Sequence, residues 1–524
     1  MNKNNFPIYL SFATIFGILI GTFFSGDSRG ILLQRGSANE MKIRRLLDYI
    51  ERDYVDNVNT DVLLDEAITQ MLGKLDPHSV YIPKENLQAI QENMQGNFVG
   101  IGIQFRMIQD SITVIQPIEG GPSIKAGIKA GDRIISANQD TLSGKKLSSN
   151  DVPKFLKGKD NTELTLQVYR KTNDSLFNIN IKRGKVNIKS VDIAYMLNDH
   201  LGYVKLDRFA RNTYKEFKKA LTELKERGMV DLVLDLRGNG GGFVDIATQI
   251  ADEFLDEDKL IVFTKNNKKE IDKSYATSKG DFEKGGLYIL IDENSASASE
   301  IVAGAMQDND KGIIIGRRSF GKGLVQQEMD LGDGSAVRLT TARYYTPTGR
   351  SIQKPYAKNG HPNYYDDYQK RMLRGELLNE DSIPIIDSLK YTTPKGKVVY
   401  GGGGIIPDVF VAVDTTSNIN NVHFISMTDF AFNFVDQHRK EMTNKWTLDH
   451  FIERFDQDDR VFQSYLSKIH VEADSHNHNA TETLRTYLKA SIANELFGDI
   501  GSYRIIHKKD KMLERVLELD SKAE

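Results

Sequence analysis

The chain has 524 residues, with 69 Lys and Arg against 72 Asp and Glu, so its net charge of −3 provides no basic surplus for a nucleic-acid backbone. Hydrophobic residues make up 40% of it, enough for packed cores in several domains and too many for wholesale disorder. It contains no cysteine, which removes thiol nucleophiles, disulfides and Cys-ligated metal or iron–sulfur sites together.

After Lys3 no charge occurs until Asp27, and residues 8–24 (IYLSFATIFGILIGTFF) are almost wholly apolar. Such a run behind a lone lysine has the arrangement of an export signal. No A-x-A cleavage site follows and no cysteine is available for lipidation. The expectation is therefore a signal peptide or an uncleaved signal-anchor over residues 1–26, with the remainder on the extracytoplasmic (periplasmic) side, soluble or membrane-anchored.

Between residues 38 and 95, Ile43, Leu46, Leu47, Ile50 and Tyr54, then Leu63, Leu64, Ala67, Ile68, Met71 and Leu72, fall at helical spacing and predict two short helices. Asp76-Pro77 is expected to end the second. Over 96–185 the pattern changes to the short runs VGIGIQF, SITVIQPI, DRIISANQ and TELTLQVYR, separated by Gly, Asp, Asn and Pro. This is the signature of a small β-rich domain, with a compact helix around 153–156. From 188 to 353, and again over 401–413, buried-strand runs such as 232–236, 288–291 and 313–315 alternate with helical stretches such as 214–226 and 301–307, which predicts an α/β core. Residues 354–400 interrupt it with a polar, Tyr-rich insertion. Beyond 415 the pattern is helical, with Phe430, Phe432, Phe434 and Val435 in one segment and Leu484, Tyr487, Leu488, Ile492 and Leu496 in another.

The most informative stretch is DENSASASEIVAGAM, residues 292–306, which follows an apolar run and places small hydroxyl residues at a strand-to-helix junction. Ser297-Ala298-Ser299-Glu300 fits the S-x-x-E capping box, and taken alone a cap is the simpler reading. The same geometry surrounds a serine with backbone N–H groups and the positive end of a helix dipole, which suits a nucleophile and its oxyanion. A serine nucleophile needs a base. None of the ten histidines lies between 201 and 360, which leaves lysine as the obvious candidate. Lys322 lies in GRRSFGKGLVQQ (316–327) among Phe320, Leu324 and Val325, and burial there would lower its affinity for a proton.

Residues 316–322 also match G-x-x-x-x-G-K, but Gly323 replaces the Ser or Thr of a P-loop and strand-like alternation follows instead of a helix. DLRGNGGGF (235–243) is not a dinucleotide fingerprint. It is either a tight turn or a bare backbone that approaches a substrate closely and offers N–H groups to a developing charge. His476-Asn477-His478, with His470, Glu472 and Asp474, is the best metal candidate, yet it lacks a zinc-protease pattern and reads better as a solvated loop. No metal or cofactor is expected.

Taken in order, YVD (54–56), LDPHSVY (75–81), FVGIG (98–102), PIEGGPSIKAGIKAGDRIISAN (117–138), DLRGNGGG (235–242), SASASEIVAGAMQD (295–308), SFGKGLVQ (319–326), YYTPTGRSIQ (344–353) and GIIPDV (404–409) resemble the carboxyl-terminal processing (tail-specific) serine proteases. These are Ser–Lys peptidases with an inserted PDZ domain, and the resemblance covers around two-thirds of the chain. It implies a multidomain α/β protein with a crotonase/ClpP-like catalytic core, an inserted PDZ domain and helical N- and C-terminal regions. It implies Ser297 as nucleophile, Lys322 as general base, Gln326 orienting the lysine, and the N–H groups of Gly242 and Ala298 as oxyanion donors. The PDZ loop Gly100-Ile101-Gly102-Ile103 would receive a substrate's C-terminal carboxylate while the tail adds as a strand. Partners would be protein substrates with accessible, apolar C-termini. An adaptor or activator protein and homo-oligomerisation are compatible with it. The sequence departs from the family in the long segment after SIQ and in the C-terminal helical region. The rival from another class is a catalytically silent PDZ scaffold, against which the intact Ser297, Lys322 and Gln326 weigh; a protease active only with a partner is the third alternative.

Overall fold

The computed structural model describes Thr14 and residues 37–357, 363–415, 421–455, 459–469 and 478–523. The apolar segment 8–24 and residues 470–477 of the metal candidate lie outside the described residues. Among the described residues no helix is long and apolar enough to cross a membrane.

The chain divides into a unit over 1–72 and a unit over 73–524. The first contains the two expected helices, Ala38–Asp53 and Thr60–Leu72. Ser37 caps the former by accepting from the Glu40 N–H at 3.3 Å. The second ends at Leu72, where Gly73 follows, before the Asp76-Pro77 step that proline alone would have set.

The second unit is built on a six-stranded sheet whose strands run in the order Val191–Met196, Leu201–Leu206, Asp231–Asp235, Leu287–Ile291, Ile313–Gly316 and Val409–Phe410. The first pair is antiparallel and the rest are parallel. Parallel strands covered on both faces read as continuous apolar runs, and Leu287–Ile291 is buried at every position. One face packs Leu232, Leu234 and Ile289 with the helices Thr213–Glu226, Val244–Asp252 and Ala298–Asp308. The other packs Val233, Leu290 and Ile315 against Met512, Leu513 and Val516 of the last helix, Lys511–Ala523. A second, five-stranded sheet carries Leu324–Asp330 and Ala336–Tyr345.

The β-rich domain is an antiparallel sheet in the order Ile103–Ile108, Ser111–Pro117, Arg133–Ala137, Glu163–Arg170 and Ser175–Lys182. The run VGIGIQF, which reads as one strand, is two. Asn97–Gly100 pairs with Gly184–Asn187, the chain turns at Gly102 (φ 77°), and Ile103–Ile108 starts a different sheet. The strands entering and leaving this domain thus pair with each other and tie its two ends together.

The C-terminal helices Asn421–Lys445, Leu448–Arg454, Arg460–Ile469, His478–Phe497 and Asp499–Ile506 share a core of Phe430, Phe451, Tyr465 and Ile492. This region reaches both neighbours. Asp436 pairs with Arg133 (2.8 Å) and Lys171 (2.9 Å) of the β-rich domain, while Tyr503 donates to Asp192 at 2.6 Å and Arg237 pairs with Asp510 at 2.7 Å on the α/β core.

The described residues between 354 and 400 include the helix Asp367–Leu373 and the hairpin Lys390–Thr392/Val398–Tyr400. Arg350, fully buried, fastens the hairpin to the core: it donates to Asp308 and Gln307 (both 2.7 Å) at the end of helix Ala298–Asp308 and to the Tyr400 carbonyl at 2.8 Å. Removing one partner of a buried ion pair leaves an uncompensated charge. Arg350→Ala is expected to destabilise the protein by about 3–5 kcal/mol, read as a lowered urea midpoint. An unshifted midpoint would show that Asp308 does not depend on it.

Candidate active site

The loops after three adjacent parallel strands meet at the carboxyl end of the sheet, where open α/β sheets place ligands. After Asp231–Asp235 comes the glycine run. Asp235 accepts from Tyr203 at 2.6 Å and pairs with Arg237. Burial alone would raise this carboxyl, but Arg237 and Lys205 hold it well below its usual range. Asn239 then carries the turn across to the next loop: its side chain donates to the Leu206 carbonyl (2.9 Å) and accepts from Gly241 N–H (2.9 Å), and its carbonyl accepts from Ala296 N–H (3.0 Å) and the Ser299 hydroxyl (2.9 Å). Glycine is required here by contact. A Cβ on Gly241 would lie 2.8 Å from the Ser297 Cβ, and one on Gly242 would lie 2.2 Å from the Phe209 carbonyl oxygen.

After Leu287–Ile291 the chain reaches Ser297 at the N-cap of helix Ala298–Asp308, with φ 57° and ψ −112°. A serine with positive φ is strained, and this strain is held from two sides. Its N–H donates to Glu300 at 2.9 Å, and its carbonyl accepts from the buried Tyr344 hydroxyl at 3.1 Å. The Glu300 half of the capping box is therefore in place, at the serine that the sequence singles out.

After Ile313–Gly316 comes the loop that carries Lys322. Its N–H groups point inward: Ser319 to the Ile405 carbonyl and Phe320 to the Ser295 carbonyl (both 3.0 Å), Gly321 and Lys322 to Glu300 at 2.7 and 2.8 Å. A P-loop would aim these donors at a phosphate, and the chain continues as strand Leu324–Asp330, not helix. The Ser319 hydroxyl also donates to Glu300, at 2.5 Å. Every partner of this fully buried carboxylate is a donor, a set that the ionised form satisfies. Burial pushes Glu300 up, opposed by those hydrogen bonds.

The Lys322 amine donates to Gln326 Oε1 at 2.8 Å, and the Gln326 amide donates in turn to the His78 carbonyl. Burial, reinforced by Arg338, lowers Lys322 to about 8, while Glu300 and Asp76 oppose the shift. Among the described residues the amine bonds Gln326 rather than the Ser297 hydroxyl.

The structure thus gathers Ser297, Lys322, Gln326, Gly242 and Ala298 at one end of the sheet. Gly100, Ile101, Gly102 and Ile103 belong to the β-rich domain, running from the end of strand Asn97–Gly100 to the start of its edge strand Ile103–Ile108. The carbonyls of Ile101 and Gly102 accept from Ser123 N–H and Ile118 N–H (both 2.9 Å), which engages the loop's acceptors within the domain. Sequence reasoning missed Glu300 as a hub, because S-x-x-E already had a local explanation. It also missed Asp76 and His78. Asp76 accepts from His78 N–H (2.8 Å), Ser79 N–H (2.9 Å) and the Ser79 hydroxyl (2.6 Å), a turn legible in D-P-H-S, but its reach to Gln326 is not local. The histidine-free stretch 201–360 did not keep histidine away: His78 arrives from outside it and contributes its carbonyl, while its ring bonds the Tyr364 hydroxyl at 3.0 Å.

His200, Asp231 and Asp520 are close enough to share a metal, but they lie at the opposite, amino end of the strands. Asp520 already bonds His200 at 2.8 Å and Asp231 accepts from Gly286 N–H at 2.7 Å.

Residues 200–360 match peptidase family S41, residues 99–181 match the PDZ domain, and residues 425–498 match a family of unknown function (DUF8443). The chain is 35% identical to the "Probable CtpA-like serine protease" of Staphylococcus aureus (strain N315) over 67% of this chain and 70% of that one. It is 37% identical to the "Carboxy-terminal-processing protease" of Bartonella bacilliformis over 60% and 73% of the two. Among solved structures, the photosystem II D1 C-terminal processing protease is 30% identical over 61% of this chain and 84% of its own, with a TM-score of 0.35. With a PDZ match preceding the S41 match and relatives of that identity over two-thirds of their length, the chain belongs to the C-terminal processing serine proteases of peptidase family S41 and is a serine-type peptidase.

Proposed function

We propose that this protein is an endopeptidase that selects extracytoplasmic proteins by their C-terminal tails and cleaves them through an acyl-enzyme on Ser297. The observation that carries the reading is the half-buried Lys322 amine, bonded to Gln326, on a loop that shares the Glu300 carboxylate with the Ser297 backbone. Neutral Lys322 takes the hydroxyl proton as Ser297 Oγ bonds to the scissile carbonyl carbon, then delivers it to the departing amine. Water attacks the ester by the same route and frees the enzyme. The Ala298 and Gly242 N–H groups receive the oxyanion, the former at the positive end of a helix dipole. Gln326 keeps the amine aimed, itself fixed by the His78 carbonyl.

A substrate tail adds along the edge strand Ile103–Ile108, its carboxylate on the N–H groups of the loop Gly100 to Ile103. We read the sheet and its helices as a crotonase/ClpP-like core, and the apolar N-terminal segment as the export signal or anchor that puts the chain outside the cytoplasm. A second reading, a protease that waits for a partner or substrate, is favoured by the Lys322 amine resting on Gln326, since a base must reach the hydroxyl before it can act.

Mixing the purified protein with a loosely folded protein that carries or lacks an apolar tail tests the function. Tail-dependent cleavage by wild type is expected, with Ser297→Ala and Lys322→Ala each slower by about 10⁴-fold or more. Full cleavage by Ser297→Ala sinks the assignment. Cleavage that appears only when a second protein is added favours the second reading.

Because the lysine must be neutral to accept a proton, activity rises with pH through its value of about 8. The rate of serine labelling by a fluorophosphonate should fall about tenfold per pH unit below that limb. A flat profile between about pH 6.5 and 9 removes Lys322 as the base.

A further inference from the structure

Residues 354–400 interrupt the shared motifs, yet they grip the catalytic region at two points. The first is Arg371, whose side chain is 1% exposed. Its guanidinium donates to three consecutive carbonyls, those of Arg318 (2.7 Å), Ser319 (2.9 Å) and Phe320 (3.4 Å), the residues just before Gly321 and Lys322. Asp367 pairs with the same guanidinium at 2.8 Å, and the buried Glu376 accepts from Arg318 at 2.7 and 2.9 Å. The loop is thereby held on both sides, its N–H groups by Glu300 and its carbonyls by Arg371.

The second grip is on the turn behind Gln326. The Tyr364 hydroxyl bonds His78 Nε2 at 3.0 Å and accepts from Gln353 at 3.1 Å, and the Tyr365 hydroxyl donates to the Pro77 carbonyl at 2.6 Å. His78 is the residue whose carbonyl fixes Gln326, and Gln353 accepts from Gly323 N–H at 2.8 Å. Lys354 closes the gap between the grips, its ammonium 3.8 Å from the Phe320 ring centre and 4.3 Å from that of Tyr364.

We infer that this inserted segment is part of the catalytic apparatus: Arg371, with Tyr364, is a positioning residue that holds Lys322 and its partner Gln326 in place and keeps water from the amine. The inference rests on the Ser–Lys reading. A guanidinium forks to several carbonyls, which an ammonium does not, so Arg371→Lys keeps the charge and loses the clamp. The charged groups that face Lys322, namely Glu300, Asp76 and Arg338, are untouched by either Arg371→Lys or Tyr364→Phe, and so are Asp367, Glu376 and Arg318 around Arg371 and Lys354 beside Tyr364. What changes is the freedom of the loop and the access of water, which returns the lysine toward its ordinary range.

The test is the pH dependence of fluorophosphonate labelling in the full chain, expressed per site titrated at the end of the reaction so that unfolded protein drops out. Arg371→Lys is expected to move the ascending limb up by roughly one pH unit, slowing labelling about tenfold at pH 7 while recovering near the wild-type rate at high pH. Tyr364→Phe should move it in the same direction by less, and it decides the matter if Arg371→Lys does not fold. A limb at the wild-type position in a folded variant overturns the inference, because a merely structural role would lower the number of titrated sites and leave the limb where it was. Lys322→Ala is the control. Unchanged labelling there sinks the Ser–Lys reading and the inference with it, whereas slow labelling there with an unmoved Arg371→Lys limb sinks the inference alone.

Discussion

A carboxylate taken out of water has to be met by donors, and the Glu300 side chain meets them at the Ser297 N–H, the Ser319 hydroxyl, and the N–H groups of Gly321 and Lys322. It ties together two loops that leave different strands, and one of them carries a serine in strained backbone geometry. No lysine or arginine neutralises it at contact distance among the described residues. It lies in the first turn of a helix, where the dipole favours an anion. A lost hydrogen bond to a buried charge costs more than one to a neutral group, so the arrangement is cooperative: Ser297 and the Lys322 loop are fixed together or not at all.

Around that hub the rest of the architecture supplies position. The parallel sheet, buried on both faces, delivers three loops to one end, and the glycine run can lie against Ser297 because Gly241 and Gly242 have no side chains to exclude it. The paired strands at the neck of the PDZ domain and the C-terminal region that binds both PDZ and core through Asp436, Tyr503 and Asp510 join the PDZ domain to the catalytic unit. Desolvation then lowers Lys322 to about 8, its amine bonded to Gln326, with Glu300 and Asp76 limiting how far the shift goes.

The periodic elements were readable locally. Helix Thr213–Glu226 and strand Leu287–Ile291 stand where apolar patterning places them, because each buries one face or two against a neighbour. The exceptions have local causes. VGIGIQF breaks at Gly102, whose left-handed backbone no alternation rule anticipates, and the second N-terminal helix stops at glycine before proline is reached. Residues 354–400 read as a polar, Tyr-rich insertion. Part of that polarity is spent inside: the Arg371 guanidinium is taken up by the carbonyls of Arg318, Ser319 and Phe320, and its side chain is among the most buried of the described residues.

By itself the sequence determined the alternation of strands and helices, the exclusion of thiol chemistry, and a Ser, a Lys and a glycine run in motifs of recognisable order, since all of these are set by residue type and short-range spacing. Only the tertiary structure decided which distant groups meet: the His78 carbonyl on Gln326, Arg371 on the carbonyls before Lys322, and Glu300 between Ser297 and Lys322. Hydrogen bonds between residues far apart in the chain leave no periodic trace, because a single donor or acceptor satisfies them wherever the fold brings it.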